Sequence, residues 1–138
     1  MIRTLLCNAA AQIFVACLLG WAMLIPMQPW GAALRTKGAS RALLAAHLDW
    51  ILLALTQCAA AMMHQVFGLR HLTLLTAALI VGGWLNPVPY LLRAFGVDAF
   101  VFAGRWPQRL AAGIAGVSAL ALTLAWASIG WQLVSAPR

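Results

Sequence analysis

Four long apolar runs, separated by short segments that hold most of the charge, set out this chain. They cover roughly residues 4–25, 41–66, 72–92 and 110–134. Each has the ~20 residues a helix needs to cross the hydrocarbon of a bilayer. The pattern predicts an all-α fold, a single-domain bundle of four transmembrane helices. The first run follows Arg3 and ends at Pro26, a framing that resembles a signal peptide, but Met1 is kept and no convincing small-residue cleavage site follows. It reads as a retained helix. Ser40 is placed to N-cap the second helix, and Trp30 suits an anchor at headgroup level.

The third run breaks its own pattern. Its second half reads GGWLNPVPYLLR. Gly82 and Gly83 allow close backbone approach. Pro87 and Pro89 each remove a backbone donor, so the helix must kink or unwind there. Irregular backbone at membrane depth survives only where protein or a cavity satisfies it, which turns Asn86 and Tyr90 toward an interior. The segment AFGVDAFVFAG that follows is expected on the membrane surface, as a short helix or re-entrant turn. In the fourth run Ala112 and Gly116 form a small-xxx-small pair suited to helix packing.

Composition fixes the class. Hydrophobic residues make up 64% and charged residues 8% of the 138, against about 25% charged in a soluble domain. The net charge of +7 would suggest nucleic acid in a soluble protein. Here the basic residues fall between apolar runs, so they point to topology and anionic headgroups instead. Arg35, Lys37, Arg41, Arg93, Arg105 and Arg109 flank loops one and three; Arg3, Arg70 and Arg138 mark the other side. That bias places loops one and three in the cytoplasm. Cys7, Cys17 and Cys58 lie within apolar runs without Cys-x-x-Cys spacing, and read as buried free thiols.

Candidate chemistry gathers in the second and third runs. His47 and Asp49 sit among Leu, Ala, Ile and Trp, and no other acid occurs before Asp98. A carboxylate in hydrocarbon costs roughly 2.5–3.5 kcal/mol on insertion scales. A histidine there is a metal ligand, a proton carrier, a hydrogen-bonding strut or the carboxylate's partner. His47 and Asp49 lie six and eight residues in from Arg41, or about 9 and 12 Å. Asn86 and Tyr90 lie seven and three residues in from Arg93, or about 10 and 4.5 Å. All four are therefore expected in one layer of the cytoplasmic half. His47 and Asp49 project roughly 200° apart around their helix. That puts Asn86 and Tyr90 across from His47, and Asp49 on another pocket face or toward a neighbouring subunit. Gln57 lies deeper, and His64 and His71 lie at the opposite face.

The segment Gly83-Trp84-Leu85-Asn86-Pro87-Val88-Pro89-Tyr90, with the pattern G-W-x-N-x-x-x-Y and a histidine early in the preceding helix, resembles the small four-helix membrane enzymes of the styrene oxide isomerase type. The HLD of His47 to Asp49 is also similar to the HLE of the hydroxylaminobenzene mutases. The specific matches are confined to the second and third helices. The resemblance implies a trimer in a bacterial inner membrane, with haem b bound between subunits and His47 as the iron's axial ligand. Asn86 and Tyr90 are implied at the site, with Asp49 as an additional carboxylate.

The reaction implied is rearrangement of an apolar aromatic epoxide to an aldehyde. Ferric iron acts as a Lewis acid, a benzylic cation forms and a hydride shifts, with no net redox change. Two positions depart from the isomerase pattern: Leu53 stands where it has an Asn, and Gly82 where it has an acid. These departures keep a mutase reaction open. A different class, a small oligomeric transporter driven through Asp49, is the other alternative.

Overall fold

The computed structural model describes residues 1–34, 39–98, 100–101 and 104–135. Among the described residues all regular secondary structure is helical, without strands. Helix α1 spans Ile2–Leu24, α2 Ala39–Phe67, α3 Leu72–Leu85, α4 Val88–Ala94 and α5 Trp106–Ser135. Two short 3₁₀ turns, Ile25–Met27 and Pro29–Leu34, follow α1. Four stretches are long and apolar enough to cross a membrane: α1 with its first 3₁₀ turn, α2, the α3–α4 pair and α5.

The third run is broken where its prolines demand. α3 stops at Leu85 and α4 starts at Val88, with Pro87 as its N-cap residue. Both prolines are fully buried. Ser40 does not cap α2, because that helix already includes Ala39. The segment after α4 forms turns and bends but no helix among its described residues; two left-handed glycines, Gly96 and Gly104, bend the chain there.

α1 packs chiefly on α2, α3 on α5, and α4 on α2. Each contact runs along a seam of small residues. α1 buries Leu5, Ala9, Gln12 and Ala16, a four-three-four spacing that keeps one face inward. α5 buries Ala111, Ser118 and Ala125 at intervals of seven, with Ile129 beyond. Gly116 is exposed, so the expected Ala112–Gly116 pair is not the packing seam; only Ala112 turns inward. Gly82 makes the close approach between α3 and α5. A Cβ there would come within 2.6 Å of Leu122 Cγ.

The apolar core lies toward the loop between α2 and α3, around Leu5, Ala61, Leu69, Leu75, Leu79 and Ile129. Outward faces carry large apolar side chains such as Phe14, Leu18, Leu52 and Leu120, as a lipid-facing surface requires. Trp21, Trp30 and Trp106 are all more than 70% exposed near one end of the bundle and Trp131 near the other, where interfacial tryptophans sit. The three thiols are free, but Cys7 and Cys17 are exposed rather than buried.

The α3–α5 contact yields a direct expectation. Gly82→Val should force the two helices apart and destabilise the fold by about 1–3 kcal/mol. Gly96→Ala, at a loop position where an added Cβ meets nothing within 4 Å, should cost only the strain of its positive φ. Thermal unfolding of the detergent-solubilised variants checks the order.

Candidate functional site

The break in the third run is wrapped by side chains. Asn86 closes α3, with its backbone N–H donating to Gly82 O at 2.9 Å. Its side-chain Nδ2 donates to Asp49 Oδ2 at 2.6 Å. On the other side, the Ser118 hydroxyl lies 2.9 Å from Asn86 Oδ1 and 3.0 Å from Gly82 O. Its single proton can serve either acceptor. One amide thus links a carboxylate on α2 to a hydroxyl on α5 across the broken helix. The reason lies in the chain: Pro87 and Pro89 have no N–H, so the carbonyls of Gly83 and Leu85 lose their helical donors. The polar side chains gather where regular backbone pairing fails.

A second polar group lies one turn away along α3. Gln57 Nε2 donates to Gln12 Oε1 at 3.0 Å and to Leu79 O at 3.3 Å. Asn8 Nδ2 donates to Gln57 Oε1 at 2.6 Å, and Trp84 Nε1 donates to Asn8 Oδ1 at 2.7 Å. Gln12 and Gln57 are almost wholly buried. Gly83 makes room for both, since a Cβ there would lie 2.6 Å from each amide nitrogen. Three consecutive residues therefore meet three different helices: Gly82 faces α5, Gly83 the amides of α1 and α2, and Trp84 reaches Asn8 of α1. Trp84 also meets Trp50 edge to face, centroids 6.2 Å apart. The buried indole N–H of Trp50 has no partner among the described residues.

His47 belongs to neither group. Its Nδ1 lies 2.8 Å from Ala16 O on α1. A carbonyl can only accept, so Nδ1 is the donor, and in the neutral ring Nε2 keeps its lone pair. Gly20 makes room for the ring's Cε1–Nδ1 edge: a Cβ there would come to 3.1 Å of His47 Cε1 and 3.5 Å of Nδ1. Asp49 and His47 thus leave α2 in different directions, as their 200° separation requires. Asp49, not His47, meets Asn86. What His47 meets is the α1 backbone at Ala16, which corrects the expectation that Asn86 and Tyr90 would face it.

Tyr90 stands apart again. Its ring packs on Phe100 at 5.2 Å between centroids, and the Arg93 guanidinium lies 5.7 Å over the same Phe100 ring. Its hydroxyl has no hydrogen-bond partner among the described residues. His64 and His71 lie at the far end, where His64 Nδ1 is buried without a partner. Gly82, where the isomerase pattern has an acid, has no room for any side chain against Leu122.

Among the described residues no three or more His, Cys, Asp or Glu side chains converge on a metal position. A haem needs fewer protein ligands than that. The pinned imidazole of His47, with Nε2 left as a base, fits such a role. A cavity of about 550 Å³, which His47 itself does not line, lies between the end of α1 and the start of α2, lined by Met23, Leu43, Leu44 and Arg41 among others. Leu43 and Leu44 precede His47 by one helical turn, and Met23 follows Gly20 by three residues. The reading from sequence missed Ser118, Gly20 and the Asn8–Gln12–Gln57–Trp84 group. Asn8 and Gln12, four residues apart and so on one face of α1, were the signal for the last.

A double-mutant cycle with Asp49→Asn and Asn86→Leu should return a coupling energy of about 0.6–1.7 kcal/mol, the span for hydrogen bonds between membrane helices. Additive losses in unfolding free energy would show that the contact contributes nothing. Comparison with protein-family models, with curated proteins and with solved structures finds no match to this chain.

Proposed function

We propose that this chain is a haem b-dependent isomerase of a bacterial cytoplasmic membrane, acting on an apolar aromatic epoxide such as styrene oxide. The observation that carries the reading is the His47 Nδ1–H bond to Ala16 O, which orients the ring and leaves Nε2 as the ligating base. His47 would hold the iron, and the apolar cavity lined by Leu43 and Leu44, one helical turn earlier on α2, would take part of the macrocycle. Arg41, on the cavity wall, would meet the propionate carboxylates. When bound, ferric haem supplies a Lewis acid for the epoxide oxygen without a proton donor. The reaction class itself rests on the resemblance of the Gly83–Tyr90 segment to the isomerases.

The chain's own residues then have separate duties. Asn86 holds the Asp49 carboxylate in place and Ser118 holds Asn86. The Tyr90 hydroxyl is left for a substrate oxygen. Because His47 and Asp49 leave α2 on different faces, one chain does not bring its histidine and its Asp49–Asn86 pair to a common point. A site using both needs a second copy, which supports a homo-oligomer, as the trimer of the resemblance implies. Membrane lipid surrounds the assembly, with loops one and three on the cytoplasmic side.

The protein purified in detergent from haem-replete cells should show a Soret band. His47→Ala should lose or shift it, whereas Asp49→Asn should leave it in place and change turnover. Tyr90→Phe should lower epoxide-to-aldehyde turnover by about 100-fold, the scale for losing one positioned donor. A colourless wild-type protein would contradict the reading. A hydroxylaminobenzene-type mutase shares His47 and the haem and differs in substrate, so the same preparation offered an aryl hydroxylamine separates the two. Proton-coupled efflux abolished by Asp49→Asn and indifferent to His47→Ala would instead identify a transporter.

A further inference from the structure

A second cavity opens at the other end of the bundle, between the loop joining α2 to α3 and the last turns of α5. It measures about 460 Å³ and is lined chiefly by Arg70, His71, Ser128, Trp131, Gln132 and Ser135. Its walls are fixed by one amide. Gln132 Oε1 accepts from Arg70 N at 2.5 Å, while Gln132 Nε2 donates to Arg70 O at 3.4 Å and Ser128 Oγ at 3.3 Å. This strut ties the backbone of Arg70 to α5. The loop reaches its shape through two left-handed residues, Gly68 with φ 61° and His71 with φ 53°. For His71 that conformation costs roughly 1–2 kcal/mol, and it sets the imidazole at the cavity wall.

The side-chain charge at this cavity is one-sided. Arg70 lines it as the cation, beside His71, and the positive end of α3, which begins at Leu72, is set against the C-terminal ends of α2 and α5. The two acidic side chains of the sequence lie elsewhere: Asp49 on the contact with Asn86, and Asp98 in the loop before α5, where it accepts from Phe100 N. No carboxylate side chain therefore answers Arg70 or His71. Trp131, 73% exposed, sits on the cavity's rim and marks headgroup level. A cavity of this volume is in the range that holds a small ligand, enough for a phosphate with its attached glycerol.

We infer that this cavity binds a phosphate anion, presented as the headgroup of an anionic phospholipid at the membrane face that carries the α2–α3 loop. It stands on residues remote from His47 and does not depend on the haem reading. Phosphate oxygens accept from Arg70 and from the hydroxyl of Ser128, whose oxygen accepts from Gln132 Nε2, and the glycerol packs on Trp131. Gln132 is a positioning residue, since its amide is occupied with the loop backbone.

The test is native mass spectrometry of the full-length chain, released from bilayers of phosphatidylcholine containing one fifth phosphatidylglycerol. The wild type should retain phosphatidylglycerol in preference to phosphatidylcholine. Arg70→Gln should reduce the retained fraction about fivefold, the effect of one basic residue near an anionic surface. Arg105→Gln removes the same charge at the opposite end of the bundle and should leave retention unchanged. Ser135→Glu, an exposed position on the cavity wall, keeps Arg70 and should repel the anion to a similar extent, so the proposal stays testable if Arg70→Gln does not fold. Added sodium phosphate that displaces the lipid would show that the anion alone suffices. Retention that needs Arg70 but resists phosphate would show that the lipid is the ligand. Equal retention of both lipids by the wild type, or unaltered retention in both cavity variants, would overturn the proposal.

Discussion

The hydrogen bond from Asn86 to Asp49 depends on a backbone that cannot complete itself. Two buried prolines inside one membrane-length run strip that stretch of two donors, and hydrocarbon offers no replacement. Polar side chains surround the break, Asn86 from the break itself, Asp49 from α2 and Ser118 from α5, and they bond to one another and to Gly82 O. Asp49 is the residue this arrangement explains best. A lone carboxylate at membrane depth is costly on any scale, yet here it accepts a bond at 2.6 Å from an amide that is itself held from the other side. The half-buried acid is thereby tied to the broken helix through Asn86.

The remainder of the bundle divides between two kinds of packing. Toward the α2–α3 loop it is an ordinary apolar core around Leu5, Leu79 and Ile129. Toward the break it becomes polar, through the amides of Asn8, Gln12 and Gln57 and the indole of Trp84. Glycines sit at the boundary because α5 and the amides of α1 and α2 approach α3 from different sides. A methyl group at Gly83 would strike Gln12 and Gln57, and one at Gly82 would strike Leu122. An apolar seam alone would hold four such helices loosely in lipid, where burial supplies little drive. The polar layers give the helices a defined register.

Much of this was legible in the sequence. The four spans follow from run length, and the break follows from Pro87 and Pro89. Depth counting brought Asp49 and Asn86 to one level, and the 100° step per residue separated Asp49 from His47. What the counting assigned wrongly was which of the two faced Asn86. Depth fixes height in the membrane but not azimuth, and α2 is apolar on nearly every face, so no amphipathic stripe says which side turns to α1. The same blindness hid Ser118 on α5 and Gly20 on α1. A small residue in an apolar helix has the same sequence signature whether it clears space for an imidazole, as Gly20 does, or faces outward, as Gly116 does.

The functional reading turns on one imidazole. Its Nδ1 is committed to the Ala16 carbonyl, and an apolar cavity in the α1–α2 groove reaches Leu43 and Leu44, one helical turn before it. Everything proposed for the iron requires that commitment. The ¹⁵N NMR spectrum of His47 in the haem-free protein reports it directly, with His47→Gln giving the assignment. The account predicts a proton on Nδ1 and a pyridine-type Nε2. A proton on Nε2, with Nδ1 as the bare nitrogen, would contradict it.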